Sequence, residues 1–240
     1  MRLRILLEPH HGASYAQILA LAKAAEEGGF DAFFRSDHYL GIDANDVTYQ
    51  PTDSWTTLAG LAVQTERVRL GTLVNASTFR LPGQLAVEVA TVDQMSGGRA
   101  ELGIGAAWYE REHQYFGIPF PPLGERFDRL EEQLAILTGI WDTPPGERFS
   151  YDGKFYQVQD CVSIPRWASR PKIIIGGALL VLVAEAVELA RKLIWILPIG
   201  HEVRKFVVRQ QFLGQLRDQA SKHLRAFVDL NNRALGRQKV

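Results

Sequence analysis

The chain has little cysteine, no surplus of charge of either sign and no long hydrophobic run. Its one cysteine, Cys161, excludes an internal disulfide and any cysteine-based metal cluster, and agrees with a reducing cytoplasm. Basic and acidic side chains number 27 each, so nothing in the charge balance indicates a nucleic-acid partner or an anionic membrane surface. The longest apolar run, 173–184, is shorter than the roughly 18 residues that cross a bilayer. We therefore expect a cytoplasmic protein, without an export signal, that recognises a small molecule.

Strand-like apolar runs alternate with helix-like runs along most of the sequence. The strand-like runs are 5–7, 32–34, 68–74, 100–104, 172–175 and 193–197. The helix-like runs are 15–27, 54–65, 83–95, 125–141, 179–192 and 202–235. With 240 residues, of which 46% are hydrophobic, the chain can bury one large core. The alternation predicts one α/β domain, 1–240, with a parallel sheet that is either doubly wound or closed as a (β/α)8 barrel.

Residues 142–171 interrupt this alternation. The segment is rich in proline and aromatic side chains, and Asp152-Gly153 within it is a turn signal typical of a β-hairpin. We therefore predict a hairpin insertion after the fourth helix.

An acid and an imidazole, Asp37 and His38, follow the apolar strand 32–34. Parallel barrels keep their chemistry at the carboxyl ends of the strands, so this pair is a candidate catalytic site. An alternative is that Asp37 caps the next segment and His38 is an ordinary loop histidine. The dipeptide alone does not decide between these interpretations.

Two glycine pairs also follow strands. Gly103 and Gly105 end one strand and Gly176-Gly177 ends another, so a flat ring or a phosphate could approach the backbone closely. A tight strand-to-helix turn explains either pair equally well. A dinucleotide-binding site is poorly supported, because Trp108 stands where a third glycine is required.

Other catalytic chemistries have weaker support. Glu8, His10 and His11 contain metal-ligating groups, but adjacent histidines on a loop are expected to diverge and no cluster with ligand spacing follows. We therefore predict no metal site. A hydrolase triad is also poorly supported, because the chain lacks the G-x-S-x-G nucleophile elbow.

Four motifs occur in a fixed order within the first 177 residues. They are Ser36-Asp37-His38, VRLGTLV at 68–74, TFRLP at 78–82 and DQMSGGRAELGIGAAW at 93–108. This order resembles the bacterial-luciferase-like flavin and deazaflavin oxidoreductases. The segment 117–132, GIPFPPLGERFDRLEE, is similar to the branch that depends on coenzyme F-420.

The resemblance implies a (β/α)8 barrel that holds the tricyclic ring of its cofactor at the C-terminal mouth. It assigns Asp37 and His38 to contacts with that ring. It also implies a non-proline cis peptide bond within Leu73-Val74-Asn75, which forms a bulge behind the ring.

The resemblance places further residues around the cofactor. Gly105, Ala106 and Ala107 would line the path of the ring or the phosphate, and Gly176 and Gly177 would meet the phosphate.

Trp108 and Tyr109 would shape the substrate side of the site. In the sugar-phosphate dehydrogenases of the superfamily a glutamate follows the strand-four glycines, and here we place Trp108 at that position. The resemblance therefore argues against a sugar phosphate as substrate.

The C-terminal segment 178–240 departs from the family pattern. After Gly177 the family continues with more glycines and a Lys/Arg-Thr pair, whereas this chain runs Ala178-Leu179-Leu180. About six βα units are recognisable, so we expect an incomplete barrel with open edges. We therefore predict a homodimer or a larger homo-oligomer.

These observations lead to one preferred function and two alternatives. The preferred one is an oxidoreductase that transfers a hydride between coenzyme F-420 and a small organic substrate, with His38 as the catalytic proton donor or acceptor and Asp37 holding the ring or orienting His38. The alternatives are an FMN-dependent luciferase-like monooxygenase and a non-catalytic flavin-binding or decayed relative.

Overall fold

The computed structural model describes residues 3–42 and 51–176, which belong to one compact unit, Met1–Gly176. The strands are β1 (Arg4–Leu7), β2 (Ala32–Arg35), β3 (Arg69–Thr72), β4 (Asn75–Ala76), β5 (Ala100–Gly105), β6 (Phe149–Asp152), β7 (Gln157–Cys161) and β8 (Lys172–Ile175). The helices are α1 (Tyr15–Glu27), α2 (Ser54–Ala62), α3 (Pro82–Met95), α4 (Glu110–Phe116) and α5 (Leu123–Asp142), and Pro9–His11 forms a 3-10 turn. Among these helices, none combines the length and the apolar character that crossing a bilayer requires.

The main sheet places its strands in the order of the chain. Strands β1, β2, β3, β5 and β8 are neighbours in that sequence, and each pairing is parallel. Strand β4 continues β3 after two residues and also pairs with β5. A doubly wound sheet reverses its strand order at a switch point, and the described strands contain no such reversal. The topology is therefore that of a (β/α) barrel, as the resemblance implies, and the predicted sixth strand, 193–197, lies outside the described residues.

Local sequence explains where the helices begin. Ser14 forms a capping box with Gln17: the Ser14 hydroxyl accepts from the Gln17 amide, and the Gln17 side chain accepts from the Ser14 amide at 2.8 Å. The Asp53 carboxylate caps α2 by accepting a hydrogen bond from the Thr56 amide at 2.8 Å. The helix α4 has no such cap and was not predicted from the sequence pattern.

The core lies between the sheet and the helices that cover its outer face. Strands β2 and β5 are buried along their whole length, including the charged residues Arg35 and Glu101. The fully buried side chains include Phe33, Leu58, Leu61, Leu70, Leu85, Val89, Leu102, Ile104, Ile136 and Leu137. Trp141 of α5 joins this layer and donates its indole N–H to the Ala86 carbonyl of α3 at 3.1 Å.

The predicted hairpin forms after α5. Strands β6 and β7 are antiparallel and make a separate two-stranded sheet. The Glu132 carboxylate of α5 accepts hydrogen bonds from the amides of Lys154, Phe155 and Tyr156 at 2.8 to 3.0 Å. This single carboxylate fixes the tip of the hairpin to the helix.

A buried guanidinium, that of Arg80, ties the elements around the carboxyl ends of β2 and β3. It makes a two-pronged ion pair with Asp37, at 2.6 and 3.3 Å, and the Asp37 side chain is completely enclosed. Two further carboxylates reach the same group: Asp53 at the start of α2, at 2.5 Å, and Glu88 of α3, at 3.1 Å. The ion pairs of Arg80 therefore hold the end of β2, the start of α2 and the helix α3 together.

The pKa values of this cluster follow from its burial. Burial alone would lower the pKa of Arg80, but Asp37, Tyr39 and Asp53 outweigh it and raise that pKa. Burial raises the pKa of Asp37, and the Arg80 guanidinium opposes that change. The Arg80 guanidinium is thus charged at every working pH. Its charge favours the ionised form of the enclosed Asp37 carboxylate.

We predict that Arg80→Met lowers the free energy of unfolding by about 3–5 kcal/mol, because it leaves the enclosed Asp37 carboxylate without a counter-charge. Lys154→Met is the control: its ion pair with Asp128 is exposed and 3.9 Å long, so we expect a change within about 0.5 kcal/mol. Urea unfolding of both variants measures the difference. Equal effects of the two substitutions would contradict a structural role for the cluster.

Candidate active site

The carboxyl ends of β1, β2, β3 and β5 meet at one edge of the parallel sheet. The residues that follow these strands carry most of the predicted site: His10 follows β1, His38 follows β2, Leu73 follows β3 and Trp108 follows β5. Such edges are where α/β barrels place their chemistry. This edge is therefore the candidate active site.

His38 is held by a carboxylate from a different βα unit. Its Nδ1 lies 2.9 Å from Oε1 of Glu112, a residue of α4 that is 2% exposed. The other oxygen of Glu112 accepts a hydrogen bond from the Tyr39 amide at 3.1 Å. A carboxylate acceptor requires a proton on Nδ1, so the neutral His38 ring presents its lone pair at Nε2. The His38 side chain is 18% exposed, and no described residue hydrogen-bonds to its Nε2.

Aromatic rings surround this imidazole. Trp108 and Tyr109 lie edge-on to His38, with ring centroids 5.7 and 6.2 Å away, and they stack on each other at 5.3 Å. The Trp108 side chain is 41% exposed. The structure thus brings both residues predicted for the substrate side next to His38.

A second imidazole, that of His10, lies close to His38, with ring centroids 5.0 Å apart. It is fully buried, and its Nδ1 pairs with the Ser36 hydroxyl at 2.8 Å. Burial, together with the nearby His38, His11 and Arg35, lowers the pKa of His10 to about 4. His10 is therefore neutral at physiological pH.

Asp37 lies elsewhere than its predicted role requires. Its carboxylate is enclosed and bound to Arg80, so it neither faces the mouth nor pairs with His38, which Glu112 holds instead. The physical reason is that an enclosed carboxylate needs a counter-charge, and Arg80 supplies it.

The bulge between β3 and β4 contains the non-proline cis peptide bond that the resemblance implies, at Leu73–Val74. The three residues of the bulge point to different surroundings. Leu73 lines an apolar cavity of about 220 Å³ with Ile5, Phe34 and Ile174, and His38 is not part of its lining. The buried Asn75 side chain accepts hydrogen bonds from the Trp55 indole and from Arg80, both at 3.0 Å.

Neighbouring backbone and the Val74 side chain crowd the glycines at this edge. A Cβ added at Gly103 would overlap the Thr72 carbonyl oxygen, and one at Gly105 would lie 2.7 Å from the Gly176 carbonyl oxygen. One added at Gly176 would overlap the Val74 side chain. Gly103 and Gly105 are therefore required by adjacent backbone, and Gly176 makes room for Val74. Gly177 lies outside the described residues.

The two alanines after β5 guide the chain into α4. Ala106 is buried, and Ala107 has a left-handed backbone with φ 66°. Arg126 of α5 donates a hydrogen bond to the Ala107 carbonyl at 3.2 Å. This turn directs Trp108 and Tyr109 toward His38.

Two residues of the site, Glu112 and Arg80, were not predicted from the sequence. Glu112 is one of several charged residues in 110–114, and only the three-dimensional path of α4 selects it. Arg80 lies within the TFRLP motif, so the motif marked its position but not its role.

Known proteins resemble this chain in sequence. The family model described as luciferase-like monooxygenase matches residues 1–226. An F420-dependent glucose-6-phosphate dehydrogenase from Microbacterium testaceum (strain StLB037) is 37% identical over 164 residues, which are 68% of this chain and 47% of that protein. The chain thus spans about half the length of this curated relative.

Solved structures give the same fold. An F420-dependent secondary alcohol dehydrogenase, solved with an F420-acetone adduct, has a TM-score of 0.65 at 20% identity, covering 75% of this chain and 55% of that one. The monooxygenase RslO1 from Streptomyces bottropensis has a TM-score of 0.62 at 28% identity, covering 92% and 66% respectively. With the family match over nearly its whole length, the chain belongs to the luciferase-like monooxygenase family.

Proposed function

We propose that this protein is an oxidoreductase that transfers a hydride between coenzyme F-420 and a small organic substrate. The observation that carries the proposal is the His38–Glu112 pair, which presents one imidazole nitrogen at the mouth of the barrel. The relative from Microbacterium testaceum, named as F420-dependent, supports this cofactor. When bound, coenzyme F-420 supplies the ring carbon that accepts or releases the hydride.

The residues at the mouth fit a flat aromatic group. Trp108 and Tyr109 offer aromatic surface beside His38, and the small Ala106 and Ala107 leave the end of β5 open to a close approach. Gly105, Gly176 and the bulge 73–75 form the backbone against which such a group would lie. We assign the substrate side to Trp108, because it is the most exposed of these aromatic residues.

Proton transfer is the role that we assign to His38. For an alcohol substrate, Nε2 accepts the hydroxyl proton while the hydride leaves the carbon that bears the hydroxyl group. The reverse reaction returns that proton to the carbonyl oxygen. Glu112 acts as a positioning residue, because it fixes the ring orientation and the proton on Nδ1. Asp37 and Arg80 hold the end of β2 from which His38 extends.

An FMN-dependent monooxygenase is the second candidate. The structural likeness to the monooxygenase RslO1 at 28% identity favours it. It would use the same mouth and a similar tricyclic ring, so direct comparison of the two cofactors separates the candidates.

We predict that the protein binds coenzyme F-420 more tightly than FMN. Titration of each cofactor, followed by its own fluorescence, gives the two dissociation constants. Trp108→Ala should weaken binding or substrate turnover, whereas Tyr115→Ala, which removes a 68% exposed ring, should change neither. Tighter binding of FMN would favour the monooxygenase, and binding of neither cofactor would contradict both candidates.

We predict that His38→Asn lowers the rate of hydride transfer by about 10²–10⁴-fold, the usual contribution of a positioned proton donor. Glu112→Gln should lower the rate by about 10–100-fold, as expected when the group that orients a functional histidine is altered. The dissociation constant of coenzyme F-420 should stay within about threefold of the wild type in both variants. Stopped-flow absorbance of the cofactor, with a panel of small alcohols and glucose 6-phosphate, measures the rates.

Glu110→Gln is the matched control, because Glu110 lies on the same helix but its side chain is exposed and pairs with Gln114. It should retain the wild-type rate. Equal loss in Glu110→Gln and Glu112→Gln would mean that the charge of the helix, and not the contact with His38, is what matters.

We also propose that the protein is cytoplasmic and forms a homodimer or a larger homo-oligomer, with no nucleic-acid or membrane partner. Tyr115 and Phe116 at the end of α4 are 68% and 51% exposed, and association would remove such aromatic surface from water. We expect light scattering to give at least twice the chain mass of 26.9 kDa. A monomer at micromolar concentration would overturn this proposal.

A further inference from the structure

Three potential metal ligands gather at the carboxyl end of β1. One ligand atom from each of Glu8, His10 and His11 lies within 4.8 Å of the others. The imidazole rings of His10 and His11 are only 4.3 Å apart, although adjacent histidines on a loop are expected to diverge. The 3-10 turn Pro9–His11, closed by Gly12 in a left-handed conformation, holds them on the same side.

A second observation concerns the nitrogen atoms of His10. Nδ1 pairs with the Ser36 hydroxyl at 2.8 Å, whereas Nε2 is buried and has no hydrogen-bond partner. A buried polar atom without a partner is costly, and native proteins rarely keep one without a purpose. Metal-bound histidines typically engage their other ring nitrogen in such a hydrogen bond, which leaves the free nitrogen for the ion.

We propose that Glu8, His10 and His11 bind one divalent transition-metal ion of the Zn²⁺ type. Two imidazole nitrogens and one carboxylate oxygen are ligands that Zn²⁺ accepts, whereas Mg²⁺ and Ca²⁺ prefer oxygen alone. His10 is fixed by burial, and Glu8 and His11 are exposed to solvent. Bonds from these ligands to the ion would be about 2.0–2.2 Å long. Three protein ligands leave a fourth position for a water molecule.

The test is a titration of the full chain, without a histidine tag, with Zn²⁺ in competition with a chromophoric chelator. The wild type should bind one equivalent. His11→Ala and Glu8→Gln alter exposed ligands, so they should fold normally and weaken binding at least tenfold. Ser36→Ala, which removes the partner of Nδ1 but no ligand, should weaken binding by about tenfold.

The variant Glu110→Gln changes an exposed carboxylate of α4 that pairs with Gln114 and does not belong to this cluster, so it should keep the wild-type affinity. Co²⁺ gives a second readout, because four-coordinate binding through nitrogen and oxygen produces visible absorption that the His11→Ala variant should lose. Less than one equivalent bound, or affinity that survives both His11→Ala and Glu8→Gln, would overturn the proposal. Neither readout depends on the oxidoreductase activity, so this inference stands or falls separately from the proposed function.

Discussion

The buried ion cluster around Arg80 is the constraint on which the candidate site depends. This single guanidinium forms ion pairs with three carboxylates: Asp37 after β2, Asp53 at the start of α2 and Glu88 of α3. It also donates a hydrogen bond to the Asn75 side chain in the bulge. In water these contacts would be weak, but the Arg80–Asp37 pair is enclosed, and enclosed charges interact strongly and tolerate few alternative arrangements. Because His38 follows Asp37 directly, this charge cluster helps to set the position of the candidate proton donor.

The orientation of His38 comes from a different part of the chain. Glu112 belongs to α4, a short helix that follows β5, and it contacts both the His38 ring and the Tyr39 amide. The segment after β2 and the helix after β5 are thereby held together at the site. The two carboxylates therefore have different roles. Asp37 pairs with the Arg80 guanidinium and fixes the backbone, whereas Glu112 pairs with His38 and fixes the orientation of its ring.

Much of the fold could be predicted from the sequence, because hydrophobic periodicity and turn signals act locally. The alternation of elements, the capping of α1 by Ser14 and the hairpin around Asp152-Gly153 all follow from nearby residues. The side-chain partners could not be predicted in this way. Whether Asp37 faces a ligand or Arg80, and whether Glu112 or another acid reaches His38, depends on contacts between residues 43 and 74 positions apart. Motifs identified the edge of the sheet, but they did not determine which of its side chains point toward the mouth.

The packing of Val74 against Gly176 has a consequence for sequence variation. A Cβ at Gly176 would overlap the Val74 side chain, so a larger residue at position 176 requires a smaller one at position 74. Gly103 and Gly105 are constrained more strictly, because a Cβ at either would meet a backbone carbonyl oxygen that no side-chain change moves. In natural variants and in libraries, positions 74 and 176 should therefore change together, whereas positions 103 and 105 should stay glycine.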